Sequence, residues 1–225
     1  MQCKYREVCH SAEMNLPYLC RMTGKCCTGK IVSLTPFDIF RIAREQDKNP
    51  SVLFQEKTLA YRIDLGTFWM VPVIALRKNA ECRFLADDRS CSIYSARPFA
   101  CRLFPLKFDP SLKNFYRITG AEAVCIECIS DGHSVEEEKY LSDSGAGKMQ
   151  EEYLLTNELI SRISLSGFNI QEIKKKKKKQ KIFFALQSLM YETYPQNNEE
   201  SYPFEKMKKE AEKMMSEYGG EDELF

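Results

Sequence analysis

The apolar positions of the chain change their rhythm along its length. The first part, through about residue 30, shows little periodic apolar pattern and suits a segment wrapped around a site. The stretch SLTPFDIFRIAREQ then places Thr35 as an N-cap, Pro36 at the first helical position and Asp38 in the first turn. With Phe37, Ile39, Phe40, Ile42 and Ala43 apolar, it predicts a helix from Pro36 to Gln46. A short second helix is expected after the Asn49-Pro50-Ser51 break. Gly66 to Leu76, GTFWMVPVIAL, is β-branched and aromatic and reads as a strand, with Pro72 marking an edge or a bulge. The DDRS turn before Cys91 predicts a hairpin or tight loop, and SLKN after Asp109 another, with Phe115 to Thr119 as its return strand.

Beyond Cys128 the pattern becomes helical. Ser134 with Glu137 forms a capping box opening a helix to about Leu141, and SDSGAG breaks the chain at 142–147. Helix-period residues run from Met149 to Ile163 and stop at Gly167. Asn169 with Glu172 caps a helix carried through the lysine run to about Thr193, and Phe204 to Tyr218 gives a last amphipathic one with a Met-rich face suited to packing. The fold class is therefore α+β: a small irregular cysteine-rich region with short strands, residues 1–132, followed by an all-helical region, 133–225, packed on it.

Composition changes this picture through sulfur. The chain has 225 residues, 44% of them hydrophobic, which suits a globular protein; with 33 basic against 32 acidic residues, global charge points to no polyanionic partner. It has ten cysteines, none after Cys128. The N-terminus lacks a basic segment followed by an apolar one, and no apolar run is long enough to cross a bilayer. A cytoplasmic location is expected, where clustered thiols signify metal or redox chemistry more often than disulfides. CRMTGKCC, Cys20 to Cys27, offers three sulfurs around a permissive Gly24, and Cys82 to Leu106 offers three more, nine and ten residues apart, among aromatic, Arg and Pro residues.

These residues carry a resemblance. C-x2-T-G-x-C-C at Cys20 to Cys27, I-x2-L-T-x2-D-I-x-R-I-A at Ile31 to Ala43, C-x-F-L at Cys82 and C-x-I-Y-x2-R-P-x2-C-R-x-F-P at Cys91 to Pro105 resemble the YkgJ-type cysteine-cluster family, described as a zinc- or iron-chelating domain and related to flagellin lysine methylases. The resemblance implies Cys20, Cys26, Cys27, Cys82, Cys91 and Cys101 as ligands, with Cys125 as a seventh. Cys128 lies at a C-x2-C spacing from Cys125 and is added to the set. Thr23 stands where the family has a second cysteine, which leaves Cys3, Cys9 or Cys128 to compensate; whether His10 or His133 also ligates stays open. Arg97 and Arg102, read as cofactor-contacting, would offset thiolate charge and donate hydrogen bonds to sulfur.

The number of thiols exceeds one zinc site and suits one or two iron-sulfur clusters, of the 4Fe-4S type, with zinc as the alternative metal. Three functions stay open on these residues: electron transfer or a cluster-bearing role in a larger complex, an S-adenosylmethionine-dependent protein-lysine methylase, and a zinc-stapled interaction module. No G-x-S-x-G, P-loop or dinucleotide-binding glycine motif occurs. The expected partner is another protein or subunit, with no membrane and no nucleic acid. KKKKKKQK, Lys174 to Lys181, reads as a solvated helix or a helix interruption.

Overall fold

The computed structural model describes residues 15–16, 18–118, 128, 135–174, 176–196 and 200–219. Three two-stranded antiparallel sheets occupy the N-terminal half and its boundary, and the C-terminal half is helical. Helix α1, Pro36–Glu45, starts as the sequence predicts: Thr35 and Asp38 form a reciprocal capping box behind Pro36. Helix α2, Pro50–Gln55, follows with Asn49 as its cap. Strand β3, Met70–Ile74, pairs with β2, Leu59–Ile63, which the apolar pattern did not predict. Pro72 sits inside β3 opposite Tyr61, and its carbonyl accepts a hydrogen bond from the Leu34 amide at 2.8 Å on the other side.

The short helix α3, Phe99–Leu103, carries Cys101 and leads through a cis Phe104–Pro105 bond into the hairpin β4, Leu106–Asp109, and β5, Asn114–Arg117. Strand β1, Asn15–Leu16, pairs with β6, Val135–Glu136, so α4 begins only at Glu137 and runs to Asp143. The capping serine expected at Ser134 lies outside the described residues. Helix α5, Ala146–Leu165, ends before Gly167, which adopts a φ of 81°.

The lysine run does not continue a helix. Helix α6 spans only Ile170–Ile173, and α7 begins afresh at Lys177 and runs to Ser188, with Lys176 extended between them. A continuous helix would stack ammonium groups at three- and four-residue spacing, and the break spares part of that repulsion. A π-helical turn, Leu189–Thr193, extends α7, and α8, Phe204–Gly219, is the last element of the described residues.

One large core joins the two halves. Trp69, fully buried just before β3, packs edge-on against Phe183 of α7 with ring centres 4.9 Å apart and donates its indole N–H to Tyr191 at 3.1 Å. Ile39 and Ile42 of α1 and Ile160 and Ile163 of α5 belong to the same core. A smaller cluster of Leu16, Phe99, Leu103, Leu106, Ala146 and Met149 lies beneath α3.

Polar atoms bind the two clusters together. Asp38, 1% exposed, receives the Thr35 amide and hydroxyl on Oδ2, and on Oδ1 the Arg41 guanidinium at 2.8 Å and the Phe99 amide at 3.2 Å. Arg41 reaches onward to Glu152 of α5 at 2.6 Å. This charge chain ties α1, α3 and α5.

Removing Arg41 would leave two buried carboxylates without their cation, whereas the exposed Lys48–Glu56 pair contributes little. Arg41→Ala is expected to lower unfolding free energy in urea by roughly 3–5 kcal/mol. Lys48→Ala should cost less than about 1 kcal/mol. Equal effects would show that the chain is not a structural tie.

Candidate metal centre

Six free cysteines are present among the described residues: Cys20, Cys26, Cys27, Cys82, Cys91 and Cys101, with Cys26 exposed and the others half-buried. The first three sit on a segment folded tightly by Gly24, whose φ of 67° opens a single helical turn at Lys25–Cys27. A Cβ at position 24 would stand 2.8 Å from the Leu85 side chain and 3.1 Å from Arg89. Glycine here therefore serves both conformation and contact.

Backbone pairing seats this segment on the second cysteine region. The Cys82 amide donates to the Cys27 carbonyl at 2.7 Å, Thr28 bridges Glu81, and the Gly29 amide donates to Ala80 at 2.8 Å. Arg89 completes the clamp, binding Glu81 at 2.5 Å and the Thr23 carbonyl at 3.3 Å. Thr23, at the position of the absent cysteine, thus contributes a carbonyl to the clamp instead of a sulfur.

Cys82 and Cys91 open matching turns. The carbonyl of each accepts a hydrogen bond from the amide three residues on, Leu85 at 3.1 Å and Tyr94 at 3.2 Å. Each sulfur also accepts from the amide two residues on: Phe84 donates to Cys82 at 3.4 Å, and Ile93 donates to Cys91. Phe84 and Ile93 are buried, and the Ser92 amide joins the turns by donating to the Phe84 carbonyl at 2.9 Å. The C-x-F-L and C-x-I-Y strings are two copies of one sulfur-presenting turn.

The sulfurs form an electrostatically connected group. Cys26 and Cys27 Sγ atoms lie 3.8 Å apart in a hydrogen bond. That bond is the main cause pushing the Cys26 thiol well up, with burial next. Cys27 is pulled down by Cys26, but its bond to Cys82 and its burial prevail and raise it to about 12. Cys82 moves the other way, lowered first by the Cys27 bond and further by the Phe84 amide. Burial raises Cys91 and Cys101, and neighbouring thiols add to both. Among the described residues, no three His, Cys, Asp or Glu side chains form a ready-made metal-binding group. The sulfurs stand as interacting thiols, not as a closed coordination shell.

Arg97 stacks on Tyr94, its guanidinium carbon 3.8 Å from the ring centre, and its charge favours the thiolates of Cys26 and Cys91. Arg102 does something different: its Nε binds the Arg97 carbonyl at 3.0 Å and its Nη2 the Ser95 carbonyl, so it braces the turn that carries Arg97. Cys128 is buried and disulfide-bonded, which removes its sulfur from the free-thiol group. Cys3, Cys9, His10, Cys125 and His133 lie outside the described residues.

Two residues beside the thiols, Tyr18 and Tyr140, escaped sequence reasoning, and a third, Asp38, reads in the sequence only as a helix-start residue. Tyr18 hydrogen-bonds Cys20, and burial raises its phenol far above the usual value. Tyr140 donates to the carbonyls of Arg102 and Phe104, is raised to about 12 chiefly by burial, and contacts Tyr18 edge-on. Asp38 lies near enough to Cys101 to disfavour its thiolate. Only the position of Tyr18, two residues before Cys20, was a signal in the sequence.

Residues 19–128 match the model of the CxxCxxCC family, described as a "putative zinc- or iron-chelating domain". No curated protein and no solved structure matches the chain.

Two outcomes follow from this geometry. Gly24→Ala combines a left-handed backbone with a clash, whereas Gly29→Ala shares the φ, 69°, and meets nothing within 4 Å. The first should lower stability by roughly 1–2 kcal/mol more than the second in paired urea titrations, the range expected for crowding a packed site. Equal losses would show that contact with Leu85 and Arg89 is unimportant.

The raised thiols are protonated at neutral pH without metal, and a ligating sulfur must lose its proton. Apparent zinc affinity should therefore rise with pH, by about tenfold per unit for each displaced proton, up to the raised thiol values. Calorimetry in buffers of different ionisation enthalpy reads the protons released; none released would remove these sulfurs from the ligand set.

Proposed function

From the match of residues 19–128 to the CxxCxxCC model we propose that this protein holds an iron-sulfur centre on its converging thiols and uses it in electron transfer or as a cluster-bearing component of a larger complex. The observation that carries this reading is the count of free thiols in electrostatic contact. Six exceed the four that close one tetrahedral zinc. Thiolate is also the donor that iron-sulfur centres use.

Cys82, Cys91, Cys27 and Cys101 would serve as ligands, with Cys20 and Cys26 completing the set. A bound cluster supplies one-electron chemistry. The protein's own part is electrostatic: the Phe84 and Ile93 amides donate to sulfur, and the Arg97 guanidinium offsets thiolate charge, both of which favour the more negative, reduced state. The exposed Cys26 leaves one side of the group open to solvent, which suits exchange of electrons with a partner.

A zinc reading draws on a different observation. Two thiolates sharing one tetrahedral zinc at about 2.3 Å stand roughly 3.8 Å apart, and the Cys26 and Cys27 sulfurs are already 3.8 Å apart.

Anaerobic purification followed by metal analysis and a visible spectrum separates the two. Iron with acid-labile sulfide and broad violet absorption are expected; a colourless protein with stoichiometric zinc would replace the first reading with the second. Cys91→Ser and Cys101→Ser should each lose metal and melt at lower temperature, since metal binding and folding are coupled. Full metal content in both would show that the centre lies elsewhere.

A further inference from the structure

The lysine run, read from sequence as a solvated or interrupted helix, acquires a different meaning from its neighbours. The break at Lys176 starts α7 inside the run, so Lys177 and the residues after it stand at the positive end of a twelve-residue helix with no acidic residue in its first turn. Lys177 and Lys181 are exposed four residues apart, and Lys174 is exposed on the preceding turn. This arrangement is electrostatically costly, and an anionic surface relieves it.

Apolar side chains share this corner. Leu65, 77% exposed at the β2–β3 turn, and Leu165, 88% exposed at the last position of α5, are the most exposed large apolar residues of the described chain. The two elements meet there: Ser164 donates to the Thr67 carbonyl, and the Ile170 amide donates to Phe68 at 2.9 Å. Lys179 of α7 reaches the Phe168 ring, 5.7 Å from its centre. Phe184, half-exposed, continues the helical stripe of Lys177 and Lys181.

We propose that this corner, formed by the β2–β3 turn, the end of α5 and the start of α7, binds the surface of an anionic lipid bilayer. A bilayer interface presents acidic headgroups and a shallow apolar layer in one place, which matches exposed lysines and protruding leucines on elements that meet at one corner. A nucleic acid would satisfy the lysines and leave Leu65 and Leu165 in water. The chain is close to neutral overall, so the attraction is local and orients the protein. None of these residues belongs to the thiol group, so the proposal does not rest on the metal reading.

Co-sedimentation of the full chain with phosphatidylcholine vesicles, with and without phosphatidylglycerol, tests the proposal. Binding is expected only to the anionic vesicles and should weaken with salt. Replacing Lys174, Lys177 and Lys181 together with Gln should reduce partitioning about a hundredfold, at roughly fivefold per charge. The exposed double change Leu65→Ser with Leu165→Ser should also reduce it. Failure to bind anionic vesicles, or wild-type binding by both variants, would overturn the proposal. So would retention on single-stranded polynucleotide that equals vesicle binding in strength and ignores the leucine changes.

Discussion

The structure depends on a single buried carboxylate. Asp38 caps its own helix, neutralises Arg41 and caps the amide of Phe99, so one side chain orients α1 and places the start of α3. A carboxylate this deep is tolerable only with every such partner present, because the cost of stripping its water must be offset locally. The position of Cys101 is thereby made a property of a charge network, not of its own short helix, which is too brief to hold itself.

The sulfur group is built on a different principle. Its geometry is fixed mainly by backbone: two matching turns aim the sulfurs of Cys82 and Cys91, while a glycine-made turn brings Cys26 and Cys27 against them. Backbone amides are the economical way to prepare a site for negative charge, since they are fixed dipoles that require no side-chain ordering. Arg97 adds the mobile charge, restrained by stacking on Tyr94 and braced from below by Arg102.

Much of this was legible in the chain, and what escaped shares a cause. The Thr35-Pro36-Asp38 signature, the hairpin after Asp109 and the clustering of thiols rest on local chemistry that a few neighbouring residues express. Strand β2 was missed because LAYRI shows no alternation strong enough to announce its pairing with β3. Arg89 reads as a turn residue, yet it spans 66 positions to reach Thr23. Tyr140 and Glu152 belong by periodicity to ordinary helices, and only the tertiary fold reveals what their polar ends touch. The Asn169–Glu172 cap predicts a helix carried through the lysine run, whereas the chain breaks at Lys176, which spares part of the repulsion that a continuous helix would stack.

The contact between Arg41 and Glu152 bridges 111 positions of the chain, which has a bearing on the order in which the protein is made. During synthesis every free thiol of the cluster leaves the ribosome before Glu152 does. The cysteine-bearing half therefore begins its life with its buried arginine only half neutralised, and the helices that follow complete it. Translation proceeds from one end, but α1 becomes firmly seated only when α5 arrives. Until then the cysteine-bearing half lacks the Glu152 carboxylate that its buried arginine holds in the finished fold.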